Sequence, residues 1–193
     1  MNKENNFSKA KNPALILVDI QKGFEDVAYW GGQRNNVDAE EKAGNLLQLW
    51  RKHKLPIFHI KHCSSNPKSL LREGQWGNDF NDYVTPLDAE PIIKKDVNSA
   101  FIGTDLQERL KNLGITQLVI VGLTTDHCVS TTTRMAGNLG FDTFLVHDAT
   151  ATFNKKSLNG ETYSAEIIHE TAIASLQDEF ATIVDTAFIE KNL

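Results

Sequence analysis

A chain of 193 residues with 40% apolar and 23% charged residues suits one globular domain, because single hydrophobic cores grow comfortably to this size. The formal charge is −5, and Lys and Arg form only short runs such as Lys94-Lys95 and Lys155-Lys156, which argues against a nucleic-acid-binding protein. No apolar stretch reaches the ~18 residues of a membrane span. The two cysteines, Cys63 and Cys128, argue against a disulfide framework and for a reducing, cytoplasmic compartment.

Residues 1–12 are polar, lack an apolar signal region and read as a frayed N-terminal tail, so the domain is expected over 13–193. Ala14-Leu-Ile-Leu-Val18 is a continuous apolar run ending at Asp19, as in a strand buried on both faces. Between 36 and 53, Ala39, Ala43, Leu46, Leu47 and Trp50 fall at helical spacing, with Asp38 and Glu41 as a capping pair. Pro56-Ile-Phe-His-Ile60 is the second strand. Residues 64–86 carry Asn, Gly, Pro and Ser with little periodicity and form a long excursion, a feature often tied to function.

Pro91-Ile-Ile93 is a short third strand. Thr104-Asp-Leu-Gln107 reads as a capping box, Leu106, Leu110 and Leu113 continue the helix, and Gly114 stops it. Leu118-Val-Ile-Val121 is the fourth strand, residues 122–126 are a turn, and a helix runs from Cys128 to near Gly140. Phe141–Val146 is the fifth strand. A helix through Ile168, Ala172 and Leu176 leads into the last strand, Ala181-Thr-Ile-Val184.

Strands alternating with helices give an α/β domain of three layers: a mostly parallel sheet with helices on both faces. In such sheets ligands bind beyond the carboxyl ends of the strands, where the strand order reverses. Asp19, Lys95 and Cys128 fall at or just past those ends. Cys128 is either a buried inert thiol or a nucleophile. At the start of a helix, free amides and the dipole should lower its pKa from about 8.5, and its amide together with one from the turn could hold an oxyanion. Asp19 is a strand cap or a general base. Lys95 is a surface lysine or the cation that holds Asp19 and favours a thiolate.

Three segments narrow the choice. Gly122-Leu-Thr-Thr-Asp-His-Cys-Val129 resembles the nucleophile motif of the isochorismatase-like cysteine hydrolases, a superfamily that includes nicotinamidases and streptothricin-type lactam hydrolases. Leu17-Val-Asp-Ile-Gln-Lys-Gly-Phe24 resembles its first-strand motif. Lys95-Asp-Val-Asn-Ser-Ala-Phe101 with Gly103-Thr-Asp-Leu106 resembles its lysine motif. The likeness covers roughly 13–185, with the motifs in family order. It implies a catalytic triad of Asp19, Lys95 and Cys128, a six-stranded parallel sheet in the order 3-2-1-4-5-6, and a cis peptide before Thr124. The Thr124 and Cys128 amides would then form the oxyanion hole. The expected reaction is cleavage of a carbon–nitrogen bond (amide, lactam, ureide or imide) of a small molecule through a thioester, by a homo-oligomer, a dimer or larger, with no cofactor.

The sequence also departs from some relatives. Metal-dependent nicotinamidases carry an Asp-x-His motif with further histidines after strand two, where this chain has His59-Ile-Lys-His62-Cys63-Ser64. Histidines three apart on a strand point to opposite faces, so no metal site is expected there. Residues 62–67 and 72–78 look closer to uncharacterised cysteine hydrolases of the superfamily, some of them similar to a streptothricin-type lactam hydrolase. Pocket candidates are Gln21, Phe24, Trp30, His62, Trp76, Phe101, His127 and Phe153, with Phe24 and Trp76 foremost because aromatic loop residues tend to hold flat ligands. Cys63 is read as structural. The alternatives are a nicotinamidase-like or isochorismatase-like hydrolase, or a catalytically silent ligand-binding relative. A dinucleotide-binding protein would need Gly-x-Gly-x-x-Gly after strand one, where Asp19-Ile-Gln-Lys-Gly23 stands instead.

Overall fold

The computed structural model describes residues 7–193. Its strands are β1 (Ala14–Val18), β2 (Ile57–His62), β3 (Ile92–Lys95), β4 (Gln117–Leu123), β5 (Asp142–Ala151), β6 (Lys155–Lys156), β7 (Thr162–Tyr163) and β8 (Thr182–Val184). The α-helices are α1 (Val27–Trp30), α2 (Ala39–His53), α3 (Leu106–Asn112), α4 (Ser130–Asn138), α5 (Ala165–Leu176) and α6 (Thr186–Asn192). Six strands form one parallel sheet in the order β3-β2-β1-β4-β5-β8. This is the expected 3-2-1-4-5-6 order. The last strand is eighth in the chain because the small antiparallel pair β6–β7 comes before it.

The period of two along each strand sorts its side chains between two cores. Leu15 and Leu17 of β1, with Val119 and Val121 of β4, pack under Ala43, Leu46, Leu47 and Trp50 of α2 and Ile189 of α6. Ala14, Ile16 and Val18, with Leu118 and Ile120, pack against Leu106 and Leu110 of α3, Ala136 of α4 and Leu176 of α5. All five β1 residues are buried. At about 1.5–3 kcal/mol for each large aliphatic side chain, β1 alone anchors the middle of the sheet. No helix is long and apolar enough to cross a membrane among the described residues.

Strand order reverses between β1 and β4, and the two backbones come very close there. Gly122 has φ of 129°, and a Cβ on it would lie 2.0 Å from the Val18 carbonyl oxygen, so only glycine fits. One residue after Val18, Asp19 takes φ of 51°, a left-handed conformation that Asp and Asn tolerate better than most residues.

Several local expectations are corrected. Residues 7–12 are not a frayed tail. Phe7 packs edge-on against Phe144 and Phe188, and the Ser8 amide donates to Gln117 Oε1 at 3.1 Å. An aromatic side chain, a backbone hydrogen bond and the Lys11–Asp142 ion pair (3.5 Å) together tie down this polar stretch. The expectation for residues 1–6 lies outside the described residues. Asp38 caps α2 by position, but its carboxylate pairs with Lys42 (3.1 Å) and not with a helix amide. The Thr104 hydroxyl donates to the Ala100 carbonyl (2.6 Å), Asp105 takes the N-cap position of α3, and the capping box does not form. α4 starts at Ser130. The residues before it, Thr125–Val129, form a π-helical turn that carries Cys128.

Candidate active site

Asp19 leaves the end of β1 with its amide bonded to the Ile60 carbonyl at 3.1 Å. Lys95 ends β3, two strands away, and its side chain reaches back past β2. Lys95 Nζ lies 2.5 Å from Asp19 Oδ2 and 3.1 Å from His62 Nδ1. Both side chains of the ion pair are 0% exposed. A buried carboxylate needs such a partner, since charge without compensation in a low-dielectric interior is costly. Asp19 Oδ1 is buried and makes no hydrogen bond. Cys128 approaches from β4. Its Sγ, a carboxylate oxygen of Asp19 and a ring nitrogen of His62 all lie within 4.8 Å of one another. Asn98 Oδ1 is 3.9 Å from the sulfur.

The Cys128 thiol is not acidified. Burial raises its pKa most, the Asp19 carboxylate raises it further, and Lys95 only partly opposes them, so it stands well above the usual thiol range. The expectation of a lowered pKa is therefore corrected. Burial, joined by a full carboxylate charge beside the sulfur, outweighs the partial charge of a helix start that is only a π-turn. The resting arrangement is a neutral thiol beside the Lys95–Asp19 ion pair.

The turn bearing Cys128 is tethered on several sides. The amides of His127 and Val129 both donate to the Thr124 carbonyl, at 3.1 and 3.2 Å. The Thr125 hydroxyl meets His169 Nδ1 of α5 at 2.9 Å. Burial and the neighbouring His147 push His169 down to about 4, so its ring is neutral. Asp126 Oδ1 accepts from the Thr152 hydroxyl (2.5 Å), with Lys155 Nζ and His127 Nε2 at 3.5 and 3.4 Å from its other oxygen. Burial works against the Asp126 charge, but these donors and cations outweigh it and hold the carboxyl below its ordinary range. The Leu123–Thr124 peptide is cis, as the resemblance implied.

A cavity of about 120 Å³ opens on this group, lined by Phe24, Trp30, His62, Leu71, Asn98, Thr124, His127 and Cys128. Four of the expected pocket residues, Phe24, Trp30, His62 and His127, line it. The other four do not. Gln21 is buried scaffold: its amide bonds the His62 N–H and carbonyl (2.8 and 3.1 Å) and the Asn78 carbonyl (2.9 Å). Phe153 lies behind the wall, its ring 6.2 and 6.1 Å from those of Phe24 and Trp30. Phe101 stacks on Phe141 in the core under α3 and α4. Trp76 is 56% exposed, because the short turn it begins buries Gly77 and Asn78 and turns the indole outward. Two lining residues were missed. Asn98 sits inside the lysine motif and was available as its one uncharged amide. Leu71 lies in the aperiodic excursion, where no pattern marks it.

His59 and His62 do part to opposite sides of β2. His59 is fully buried and bonds Glu90 Oε2 at 2.8 Å, in a network with Arg51. His62 joins Asp19 and Cys128 in a donor set of metal-binding type. Lys95 contacts two of its members, at Asp19 Oδ2 and His62 Nδ1.

Residues 13–188 match the family model described as the isochorismatase domain. The chain belongs to the isochorismatase family. Among isochorismatase-family relatives, it is 52% identical over 173 residues to the uncharacterized protein YrdC of Bacillus subtilis, covering 90% of this chain and 91% of that one. It is 28% identical over 197 residues to Nicotinamidase 3 of Arabidopsis thaliana, covering 95% and 90%. The crystal structure of an isochorismatase-family protein from Chromobacterium violaceum superimposes with a TM-score of 0.90 at 40% identity, over 94% of this chain and 93% of that one.

Proposed function

We propose that this isochorismatase-family hydrolase is a cysteine hydrolase that cleaves a carbon–nitrogen bond (amide, lactam, ureide or imide) of a small molecule through a thioester. The observation that carries the reading is the meeting of three chain-distant residues: a buried Lys95–Asp19 ion pair beside the Cys128 thiol, at the mouth of a cavity on the sheet's switch point.

Each residue then has a role. Lys95 pairs with the Asp19 carboxylate and holds it in place. As Cys128 Sγ attacks the carbonyl carbon, the free Asp19 oxygen takes the thiol proton. The raised thiol pKa makes this coupled transfer necessary, because little thiolate exists beforehand. The Thr124 and Cys128 amides receive the oxyanion. Asp19 returns the proton to the nitrogen, the C–N bond breaks and the amine departs. Water then gives a proton to Asp19 and attacks the thioester. The acid leaves, and the proton returns to sulfur. No step calls on a metal or an organic cofactor.

Aromatic walls at Phe24 and Trp30 suit a flat acyl group. The relative named a nicotinamidase supports amide chemistry, while the absence of an Asp-x-His motif after β2 directs the reading away from nicotinamide itself. We further propose a cytoplasmic homo-oligomer that works without nucleic acid or membrane. The test is a hydrolysis screen over amides, lactams, ureides and imides with ammonia and amine detection, run beside Cys128→Ala. Turnover of one class by the wild type and none by the variant is expected. Equal turnover by both proteins would overturn the reading.

A further inference from the structure

His62 stands where the ion pair meets the cavity. Its backbone is clamped: the N–H donates to Gln21 Oε1 at 2.8 Å, and the carbonyl accepts from Gln21 Nε2 at 3.1 Å and Asn78 Nδ2 at 2.9 Å. The ring is therefore presented from a fixed point. Its Nδ1 lies 3.1 Å from Lys95 Nζ. An ammonium has three N–H donors and no lone pair, so Nδ1 must accept and carries no proton. Burial, and then the Lys95 charge, hold the ring below the ordinary histidine range, and it is neutral near pH 7. A neutral imidazole keeps one proton, which is thereby assigned to Nε2. Nε2 has no hydrogen-bond partner among the described residues and is not one of the buried unpartnered atoms, and the ring lines the cavity. The result is an unpaired N–H donor facing the cavity beside the thiol.

We propose that His62, as its Nε2–H tautomer, selects the substrate by donating to a second acceptor atom next to the scissile carbonyl. Resting on the cysteine-hydrolase reading, this narrows the substrate class to small flat amides with that acceptor, cyclic imides and ureides, and away from simple amides and lactams. The scissile oxygen is claimed by the Thr124 and Cys128 amides, and the leaving nitrogen by Asp19. The His62 donor is left for another atom. When a ligand that lacks such an atom fills the cavity, the donor loses water and gains nothing. That desolvation discriminates by about 10- to 10²-fold.

Two variants separate recognition from support of Lys95. In His62→Asn the side-chain oxygen takes the place of Nδ1 and still accepts from Lys95, while its NH2 falls at the position of the ring Cδ2, so no donor reaches the position of Nε2. In His62→Gln the side-chain nitrogen takes the place of Nε2 and the donor remains. Both are assayed for kcat and KM on succinimide and on the lactam of the same ring, which lacks the second carbonyl. His62→Asn is expected to lower the imide-to-lactam ratio of kcat/KM about tenfold or more, chiefly through KM for the imide. His62→Gln should hold the ratio within about threefold. An unchanged ratio in His62→Asn, or rescue by Asn and not by Gln, overturns the proposal. The second measurement needs no turnover: long-range proton–nitrogen spectra of the imidazole in Cys128→Ala protein. An Nε2–H resonance at neutral pH that moves with succinimide or a ureide, and not with the lactam, is expected. An Nδ1–H tautomer, an imidazolium, or no movement with either ligand overturns the proposal. Hydrolysis that survives in Cys128→Ala overturns the cysteine-hydrolase reading instead, so the two failures are distinguishable.

Discussion

Replacing Asp19 with Asn separates what the buried ion pair does for the fold from what it does for chemistry. Asn is the right probe because it keeps the side-chain shape and tolerates the left-handed φ of 51°. The change leaves the Lys95 ammonium, 0% exposed, without its counter-charge. Breaking a buried pair by removing one partner typically costs about 3–5 kcal/mol. Lys95→Met should cost a similar amount, because it strands the carboxylate. The double variant removes both charges, and its stability should return to near the wild-type value. Activity should behave differently. Loss of the proton carrier costs about 10²–10⁴-fold in rate, and the double variant regains none of it. Urea midpoints with constant m-values measure the first quantity, and initial rates on the best substrate of the screen measure the second. A single variant destabilised by less than about 1 kcal/mol would show that the pair is solvated. A double variant with restored activity would remove Asp19 as the proton carrier.

The other predictions are simpler. Cys128→Ala should abolish hydrolysis with the far-ultraviolet spectrum and urea midpoint nearly unchanged, and near-wild-type turnover would remove Cys128 as nucleophile. Alkylation of Cys128 by iodoacetamide should reach half its limiting rate well above the value of about 8.5 for a free cysteine, and Lys95→Met should move that midpoint higher still, since Lys95 is the group that lowers it. A midpoint at or below 8.5 would contradict the raised thiol. Burial tends to raise Glu90, but Arg51, the Leu87 amide and His59 outweigh it and hold the carboxyl at about 2. Its stabilisation is full above the ordinary value near 4.5 and is lost as the pH falls toward 2, so urea midpoints from about pH 5 to 2 should fall less steeply in Glu90→Gln. Dialysis against a strong chelator should leave activity intact. Activity lost with zinc, iron or manganese and restored on its return would revive a metal-dependent mechanism.

The sequence by itself determined the framework, because framework signals are local and periodic. The unbroken apolar run of β1, the leucines of α3 and the alternation of strand with helix are each legible within a few residues. The end of each strand locates Asp19, Lys95 and Cys128 along the chain. The separation of His59 from His62 follows from the strand's period of two. Everything that depends on distance through space came from the tertiary structure. The direction of the Cys128 pKa shift is set by burial and then by a carboxylate more than a hundred residues away in sequence, neither of which a reading of the π-turn alone supplies. An aromatic side chain reads the same in sequence whether it lines a cavity, as Phe24 does, stands behind the wall, as Phe153 does, or faces solvent, as Trp76 does. Which of these it does depends on the neighbours that its turn buries. Leu71 reaches the cavity because the excursion folds back over the switch point, and Asn98 because the chain leaving β3 turns toward it. The proton on His62 is assigned by Lys95, a residue on the adjacent strand, and so only the assembled sheet decides it.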